Sequence, residues 1–351
     1  MLYPLLFEAN LHRIVWGGSR LRPMKGMEAN DEPIGESWEV SAVESSSSIV
    51  ANGPLAGRDL VGVVAEYGEA LLGKAVANRY GGKFPLLVKF IDSNSDLSIQ
   101  VHPNDELAKA RHGKFGKTEM WYVIDAKPGS YLYAGFRQSI TKEEYRQRVA
   151  DGTICDVLAR HEVQRGDVFY IPAGRVHAIG SGILLAEVQQ SSDITYRIFD
   201  YNRPGLDGKP RELHTELAAD AIDYSVKDDY LTHYRTSVNR PERIIDSPYF
   251  KVKMLQVDRK FHRKMFKYDT FLIYTCISGR CDIVPRNGGE PVSVKAGFSC
   301  LIPASVADYD VVPVEDSSQL LEIYIDNRRP TIKRLLFKSR MLRKVMRVIK
   351  R

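Results

Sequence analysis

The sequence has few of the features that mark disulfide-rich, membrane-spanning or nucleotide-binding proteins. Its 351 residues include four cysteines, at positions 155, 276, 281 and 300, with no CxxC pair and no dense spacing, so a disulfide framework is not expected. No apolar stretch approaches the roughly 18 residues of a membrane span. The opening Met1–Glu8 is too short for a signal-peptide core, and no Gly-x4-Gly-Lys-Ser/Thr loop occurs. A cytoplasmic globular protein is expected.

Positive charge is concentrated at the end of the chain. The formal net charge is +6, but residues 327–351 contain eleven Lys or Arg and no acid, which leaves 39 basic and 44 acidic residues in the remainder. The body of the protein is therefore mildly acidic, and no nucleic-acid partner is expected.

Residues 327–351 also have a helical pattern. Apolar side chains recur there at three- and four-residue spacing, with basic side chains between them, at Ile332, Leu335, Leu336, Leu342, Val345, Met346 and Ile349. This pattern predicts a basic amphipathic helix. Two roles are open: docking on the rest of the chain or on a sister subunit, and reversible contact with an anionic membrane surface.

Four side chains of metal-binding type outline one site. In an extended strand the side chains of residues i and i+2 point to the same face, so Gln100 and His102 would aim an oxygen and a nitrogen at a common point. Glu119 and His177 would join them from neighbouring strands. The other six histidines have no ligand spacing and are expected to be structural or solvated.

The segment around His177 contains Gly166, Pro172 and Gly174 in the pattern Gly-x5-Pro-x-Gly-x2-His. The preceding Val168–Ile171 run is β-branched and aromatic, and Pro172 and Gly174 favour a tight turn before the histidine. This segment resembles the second metal motif of the cupins. Their first motif has His-x-His, whereas this chain has Gln-x-His.

The chain as a whole resembles the type I mannose-6-phosphate isomerases of the cupin superfamily. The resemblance rests on blocks that occur in the same order over roughly residues 3–225: Arg13–Gly18, Ile34–Trp38, Val50–Pro54, Phe84–Lys89, Gln100–Pro103, Gly116–Glu119 and Ser192–Arg197. It implies a metal-dependent aldose–ketose isomerase that interconverts mannose 6-phosphate and fructose 6-phosphate through a cis-enediolate. A small-molecule sugar phosphate is then the expected partner.

The sequence predicts a mainly β protein with two cupin-type jelly-roll barrels and short helices at about 58–80, 104–112 and 141–151. Its expected parts are a catalytic domain at 1–210, a helical linker at 211–244, a metal-free second cupin-like domain at 245–326 and the basic tail. Gly297, Pro303 and Ala304 repeat the pattern around Pro172 at a shift of 131 residues, and that shift places Asp308 where the first copy has His177.

The predicted cofactor is one divalent ion bound by Gln100, His102, Glu119 and His177. Two neutral imidazoles, one amide oxygen and one carboxylate leave a divalent ion with a formal charge of +1, so it stays a good Lewis acid. Mixed nitrogen and oxygen donors without thiolate suit zinc, although Mn, Fe and Co remain open.

Three residues are candidates for the chemistry of isomerisation. The resemblance implies that Arg197 stabilises the negative charge of the enediolate, although an ion pair with Asp200 or Asp193 would also explain it. Glu187 has apolar neighbours that would raise its pKa, so it is a candidate general base, with a structural role equally open. Lys117 and His102 are rival proton-transfer groups.

Substrate-binding candidates come from the same resemblance. Ser98, Lys117 and Arg203 match family positions that line the pocket, and a phosphate dianion is bound by such cations and hydroxyl groups. Trp16 is a candidate wall for the sugar, with core packing as the alternative. Two other functions stay open: an Fe(II) cupin oxygenase, which the glutamine ligand disfavours, and a non-catalytic sugar-phosphate sensor.

Overall fold

A computed structural model describes residues 1–326. The helix predicted for 327–351 therefore lies outside the described residues. Six α-helices are found over residues 1–326: α1 (Leu21–Met24), α2 (Leu60–Leu72), α3 (Lys74–Tyr80), α4 (Asp105–His112), α5 (Lys142–Ala150) and α6 (Thr215–Ala221). None of the helices in this range is long and apolar enough to cross a membrane.

Antiparallel strands make up most of the described chain, as predicted. The first twelve are β1 (Leu5–Leu6), β2 (Leu11–Gly18), β3 (Ile34–Val40), β4 (Leu86–Ser93), β5 (Ile99–Val101), β6 (Glu119–Ala126), β7 (Tyr131–Phe136), β8 (Leu158–Glu162), β9 (Val168–Ile171), β10 (His177–Ile179), β11 (Ile183–Gln190) and β12 (Tyr196–Phe199). The others are β13 (Glu242–Asp246), β14 (Lys251–Val257), β15 (Phe261–Lys264), β16 (Leu272–Ser278), β17 (Arg280–Pro285), β18 (Val292–Lys295), β19 (Ser299–Ile302), β20 (Asp308–Pro313) and β21 (Ser318–Tyr324).

These strands form two pairs of sheets. In the first pair, a six-stranded sheet of order β2-β3-β4-β11-β6-β9 lies against a five-stranded sheet of order β12-β5-β10-β7-β8. In the second pair, a six-stranded sheet of order β1-β19-β16-β21-β14-β13 lies against a four-stranded sheet of order β15-β20-β17-β18. The N-terminal strand β1 thus joins a sheet built mostly from the last third of the chain.

Apolar packing holds the four sheets in layers. One core, which contains Phe90 and Ile323, lies between the two six-stranded sheets and also buries α2 and α3. A second core, around Trp121 and Leu132, fills the first pair, and a third, around Tyr274 and Tyr309, fills the second pair. The outer face of the five-stranded sheet is covered by α5 and α6.

The expected barrels are not closed. Among residues 1–326 no ladder of hydrogen bonds joins the edges of one sheet to those of its partner. The sheets of each pair are held together by the side chains of their shared core. The predicted helix at 58–80 is divided at Gly73, which has a φ of 84° and whose missing Cβ would lie 2.2 Å from the carbonyl oxygen of Asp269.

The second sheet pair repeats the strand pairing of the first. Glu187 on β11 lies opposite Lys89 on β4 and Trp121 on β6. Glu322 on β21 lies in the same way opposite Lys253 on β14 and Tyr274 on β16. The repeat inferred from the sequence therefore extends to the register of the strands.

The sequence pattern predicted Asp308 as the counterpart of His177, but in the structure the next residue, Tyr309, has that position. Asp308 lies at the surface and pairs with His262 at 2.6 Å, whereas its neighbour Tyr309 is fully buried inside the sheet pair. Tyr309 lies opposite Arg263 as His177 lies opposite Gln100. Tyr309 lies six residues after Pro303, whereas His177 lies five residues after Pro172, and this extra residue explains the offset.

A buried ion pair connects the two sheet pairs. Lys25 and Glu39 have side-chain exposures of 1% and 5%, and Lys25 Nζ also donates a hydrogen bond to the carbonyl oxygen of Gly297 in the second pair. We predict that Lys25→Met lowers the free energy of unfolding by about 3–5 kcal/mol, because it leaves the carboxylate of Glu39 buried without its cation. Urea unfolding followed by circular dichroism measures this loss.

An exposed ion pair provides the control for this prediction. Lys142 and Asp220 have side-chain exposures of 35% and 43%, so Lys142→Met is expected to change the free energy of unfolding by less than about 1 kcal/mol. Combining Lys25→Met with Glu39→Gln should recover part of the lost stability. Equal stability of Lys25→Met and the wild type would contradict the proposed role of this pair.

Candidate metal centre and active site

Three of the four predicted metal ligands lie together inside the first sheet pair. His102 follows β5, Glu119 begins β6 and His177 begins β10. One ligand atom from each lies within 4.8 Å of the others, and all three residues are buried. The turn after Pro172 places His177 at the start of its strand, as the sequence pattern predicts.

The two imidazoles are oriented by hydrogen bonds on the side away from this cluster. His102 Nδ1 donates to the carbonyl oxygen of Ile194 at 2.9 Å, and His177 Nδ1 donates to that of Arg175 at 2.8 Å. Both rings therefore carry the proton on Nδ1 and present an Nε2 lone pair to Glu119, at 3.4 and 3.3 Å from its carboxylate oxygens. Metal-binding histidines have this arrangement.

The protonation states also suit a metal. Burial, and then the charge of Lys117, lowers the pKa of His102 to about 3, and burial lowers the pKa of His177. Burial alone would raise the pKa of Glu119, but the charge of Lys117, the largest opposing influence, holds this pKa well below its usual value. At neutral pH the three groups are thus two neutral imidazoles and one carboxylate, the forms that bind metals.

The buried polar atoms of this cluster that have no hydrogen-bond partner show whether the three residues fit a metal ion. Both carboxylate oxygens of Glu119 and the Nε2 atom of His177 are buried without a hydrogen-bond partner among the described residues. Lys117 Nζ lies 3.0 Å from Glu119 Oε2 as an ion pair, but outside hydrogen-bond geometry. Buried polar atoms are rarely left unpaired, so these donors fit a divalent cation.

Gln100 lies beside this cluster. It is paired in register with His177 on β10 and with Arg197 on β12, and it lines the adjoining cavity. Gln100 therefore lies next to the strand that begins with His177, and its role as the fourth ligand stays a prediction.

A cavity of about 240 Å³ opens next to the metal centre. Six of the residues predicted for the site line it: Trp16, Ser98, Gln100, Lys117, Glu187 and Arg197. Charged residues that were not predicted also line it, namely Glu36, Lys89, Asp193 and Arg211. This cavity is the candidate active site.

Glu187 is fully buried beside this cavity. Its Oε2 accepts a hydrogen bond from Trp121 Nε1 at 2.9 Å, whereas its Oε1 has no hydrogen-bond partner among the described residues. Burial, and then the negative charge of Glu119, raises the pKa of Glu187 to about 7. The expected raised pKa is therefore found.

Lys89 lies between two carboxylates of the cavity wall. Its Nζ is 3.1 Å from Glu36 Oε2 and 3.8 Å from Glu187 Oε1, and it lies 4.6 Å from the centre of the Trp38 ring. Trp38 Nε1 donates to the same Glu36 oxygen at 2.6 Å. Sequence reasoning missed Lys89 and Glu36, although a charged residue inside the wholly buried strand β4 was a usable signal.

Arg197 enters the cavity from β12. Its Nη1 donates to the carbonyl oxygen of Glu212 at 3.0 Å, and its Nε is buried without a partner among the described residues. The acids proposed as its structural partners pair elsewhere: Asp200 with Arg203 and Arg211, and Asp193 with Lys114. Burial, and then the charge of Arg211, lowers the pKa of Arg197.

Trp16 has a position that is compatible with both of the roles that the sequence left open. It lines the cavity and belongs to the apolar core of the first sheet pair, with 4% exposure. Its ring lies so close to Gly35 that a Cβ there would be 2.6 Å from it. Glycine at position 35 is therefore required for this close approach.

Arg203 lies elsewhere than expected. It does not line the cavity in the described structure but donates to Asp200 at 2.9 and 3.2 Å. Arg211, which has the same acidic partner, lines the cavity instead. The sequence could not separate the two because only the fold of the 200–211 loop decides which arginine faces inward.

Known proteins resemble this chain along nearly its whole length. The family model for the catalytic domain of type I phosphomannose isomerase matches residues 5–129. The chain is 38% identical to the probable mannose-6-phosphate isomerase GmuF of Bacillus subtilis over 315 residues, 89% of this chain and 96% of that protein. The chain belongs to the type I phosphomannose isomerases.

Two further relatives agree with this assignment. The mannose-6-phosphate isomerase of Streptococcus mutans is 36% identical, over 88% of this chain and 95% of its own length. The crystal structure of mannose 6-phosphate isomerase from Bacillus subtilis superposes with a TM-score of 0.83 and 30% identity, and it covers 92% of this chain and 100% of the solved chain. The family predicted from the sequence blocks is therefore confirmed.

The metal centre of this phosphomannose isomerase gives a direct prediction. His177→Ala removes one Nε2 donor, so we expect stoichiometric metal and isomerase activity to be lost together. Elemental analysis after dialysis measures the metal content. His262→Ala, at the surface beside Asp308, is the matched control and should keep both. A His177→Ala protein that retains one ion per chain would disprove the assignment.

Proposed function

We propose that the protein interconverts mannose 6-phosphate and fructose 6-phosphate. One observation carries this proposal: in a type I phosphomannose isomerase chain, a buried His102, Glu119 and His177 cluster adjoins a cavity lined by Glu187 and Arg197. The reaction needs a base for a carbon-bound proton and cations for the charge on O1 and O2, and both lie in this cavity. No observation favours the oxygenase or the sensor.

The proposed cofactor is one zinc ion. His102, Glu119 and His177 would hold it with Gln100 as the fourth ligand, a set of nitrogen and oxygen donors without thiolate. When bound, the ion supplies Lewis-acid stabilisation of negative charge on a substrate oxygen. Binding it would also satisfy the unpaired atoms of Glu119 and His177.

Glu187 is the proposed general base. Its free Oε1 has no competing hydrogen bond among the described residues, and its pKa of about 7 is close to the pH at which a base is most effective. The carboxylate takes the proton from C2 of the aldose and returns it to C1 of the enediolate, which yields the ketose. The reverse reaction follows the same path.

A hydroxyl proton must also move from O2 to O1. Lys117 is proposed for this role because its ammonium is buried at the metal end of the cavity, 3.1 Å from His102 Nε2. The rival His102 is less suited, since its Nδ1 is bound to Ile194 and its Nε2 faces Glu119. Ser98 is proposed to bind the sugar and Trp16 to cover one of its faces.

Arg197 is proposed to stabilise the enediolate. Its buried Nε is free to donate, and its cationic fork provides parallel donors for adjacent oxygen atoms. Because this negative charge exists only after substrate binding, the interaction should lower the activation barrier more than it strengthens binding.

A coupled assay tests the function and this role together. The wild type is expected to form fructose 6-phosphate from mannose 6-phosphate, and Arg197→Ala to lower kcat by about 100-fold or more with a smaller rise in KM. Arg197→Lys keeps the charge but loses the fork and should recover little activity. No product from metal-loaded wild type would refute the function. A normal kcat with weakened affinity in Arg197→Ala would refute the catalytic role alone.

The described part of the chain is proposed to comprise three segments. Residues 1–210 are proposed as the catalytic domain, 211–244 as a linker, and 245–326 as a second, metal-free cupin-type unit. The absence of the Glu119 equivalent supports the last point, because Leu272 has that position two residues before Tyr274. A cytoplasmic location is proposed for the same reasons as in the sequence analysis.

The basic tail gives a prediction that is separate from catalysis. We expect a chain ending at Asn327 to keep its isomerase activity, because every proposed site residue lies before it. Co-sedimentation with anionic vesicles is measured for this shortened chain and for the full chain. The comparison separates the two possible roles of the tail. Salt-sensitive binding of the full chain alone supports membrane contact. Equal, negligible binding by both excludes it and favours docking on the protein.

A further inference from the structure

A buried carboxylate organises the loop that follows β12. Asp200, with 5% side-chain exposure, accepts hydrogen bonds from Arg203 Nη2 at 2.9 Å and from Arg211 Nε and Nη2, both at 2.6 Å. Between the acid and Arg203, the backbone of Tyr201 and Asn202 is left-handed, with φ of 57° and 52°. Left-handed backbone at two such residues costs energy, which the ion pairs of Asp200 offset.

The two arginines bound to Asp200 have different surroundings. Arg203 also contacts Ser95 Oγ at 3.4 Å and lies 5.6 Å from the centre of the Tyr201 ring. Its guanidinium group thus contacts protein side chains and does not line the cavity in the described structure. Arg211 lines the active-site cavity. It binds Asp200 through Nε and Nη2, so its Nη1 group is not engaged in this pair.

Charge is distributed unevenly along the cavity. Arg197 and Arg211 line one end, close enough that the charge of Arg211 lowers the pKa of Arg197. Asp200 offsets one of the positive charges there, Asp193 pairs with Lys114, and the side chain of Glu212 is 84% exposed. The wall around Lys89 instead carries the carboxylates of Glu36 and Glu187.

This asymmetry orients a substrate with one anionic end. The charge of Lys89 is taken up by the two carboxylates beside it, whereas the neighbouring guanidinium groups of Arg197 and Arg211 match the charge and geometry of a phosphate dianion. Resting on the proposed function, we infer that Arg211 recognises the phosphate group of the substrate. Asp200 is then the positioning residue that fixes its guanidinium plane, and Arg203 holds Asp200 without touching the substrate.

The inference predicts separate kinetic effects for the arginines. Arg211→Ala should raise KM for mannose 6-phosphate about 10- to 100-fold, the effect of losing a charged hydrogen bond, with kcat changed less than about threefold. Arg203→Ala should raise KM much less. Arg58→Ala, which removes a surface charge paired with Glu66, is the control and should leave both parameters unchanged.

A binding measurement makes the test independent of catalysis. Calorimetry of inorganic phosphate with the metal-loaded protein should show binding to the wild type that is weakened in Arg211→Ala and partly retained in Arg211→Lys, which keeps the charge. Circular dichroism shows whether each variant is folded. If the wild type has no isomerase activity, the proposed function fails, while phosphate binding still tests Arg211.

Three results would overturn the role of Arg211. The first is a folded Arg211→Ala protein with the KM and phosphate affinity of the wild type. The second is a loss of kcat at unchanged KM, which would place Arg211 in the chemistry of proton transfer. The third is an equal loss of affinity in Arg203→Ala, which would give the two arginines the same role.

Discussion

The active site depends on the burial of one charge, the carboxylate of Glu119. An isolated carboxylate inside a protein costs several kcal/mol, and this one is completely buried, with neither oxygen in a hydrogen bond among the described residues. Lys117 provides one cation and the two histidines provide neutral nitrogen donors. A divalent ion would complete this arrangement. It would give the buried carboxylate its counter-charge and would also supply the Lewis acid that the reaction needs.

The second sheet pair also buries a carboxylate, but at another strand position and with a counter-charge from the protein itself. Glu322 occupies the strand position of Glu187 and is fully buried, but its charge is neutralised by Arg263, at 2.5 Å, with Lys253 at 3.7 Å. The positions that correspond to Gln100, His102, Glu119 and His177 hold Arg263, Met265, Leu272 and Tyr309. Leu272 removes the carboxylate that the ion would neutralise, and Arg263 neutralises Glu322, so these positions of the repeat do not need a metal.

Local patterns in the sequence identified the parts of the site that lie on strands. Alternation along β5 placed Gln100 and His102, and the Pro172 turn placed His177, because both signals act over a few residues. Lys89 and Glu36 were missed because their role depends on a contact between strands about fifty residues apart. Local patterns also could not predict whether the barrels close or which of Arg203 and Arg211 lines the cavity, because both depend on how separate segments pack.

The chain separates charge within a single small cavity. Carboxylates that could accept a carbon-bound proton lie on β3 and β11, whereas Arg197 and Arg211 come from β12 and the loop after it. Strand pairing keeps the two groups apart, because β11 belongs to the six-stranded sheet and β12 to the five-stranded sheet that faces it. With Arg211 binding the phosphate as we infer, the C1 and C2 atoms of the substrate would lie toward the metal centre and Glu187.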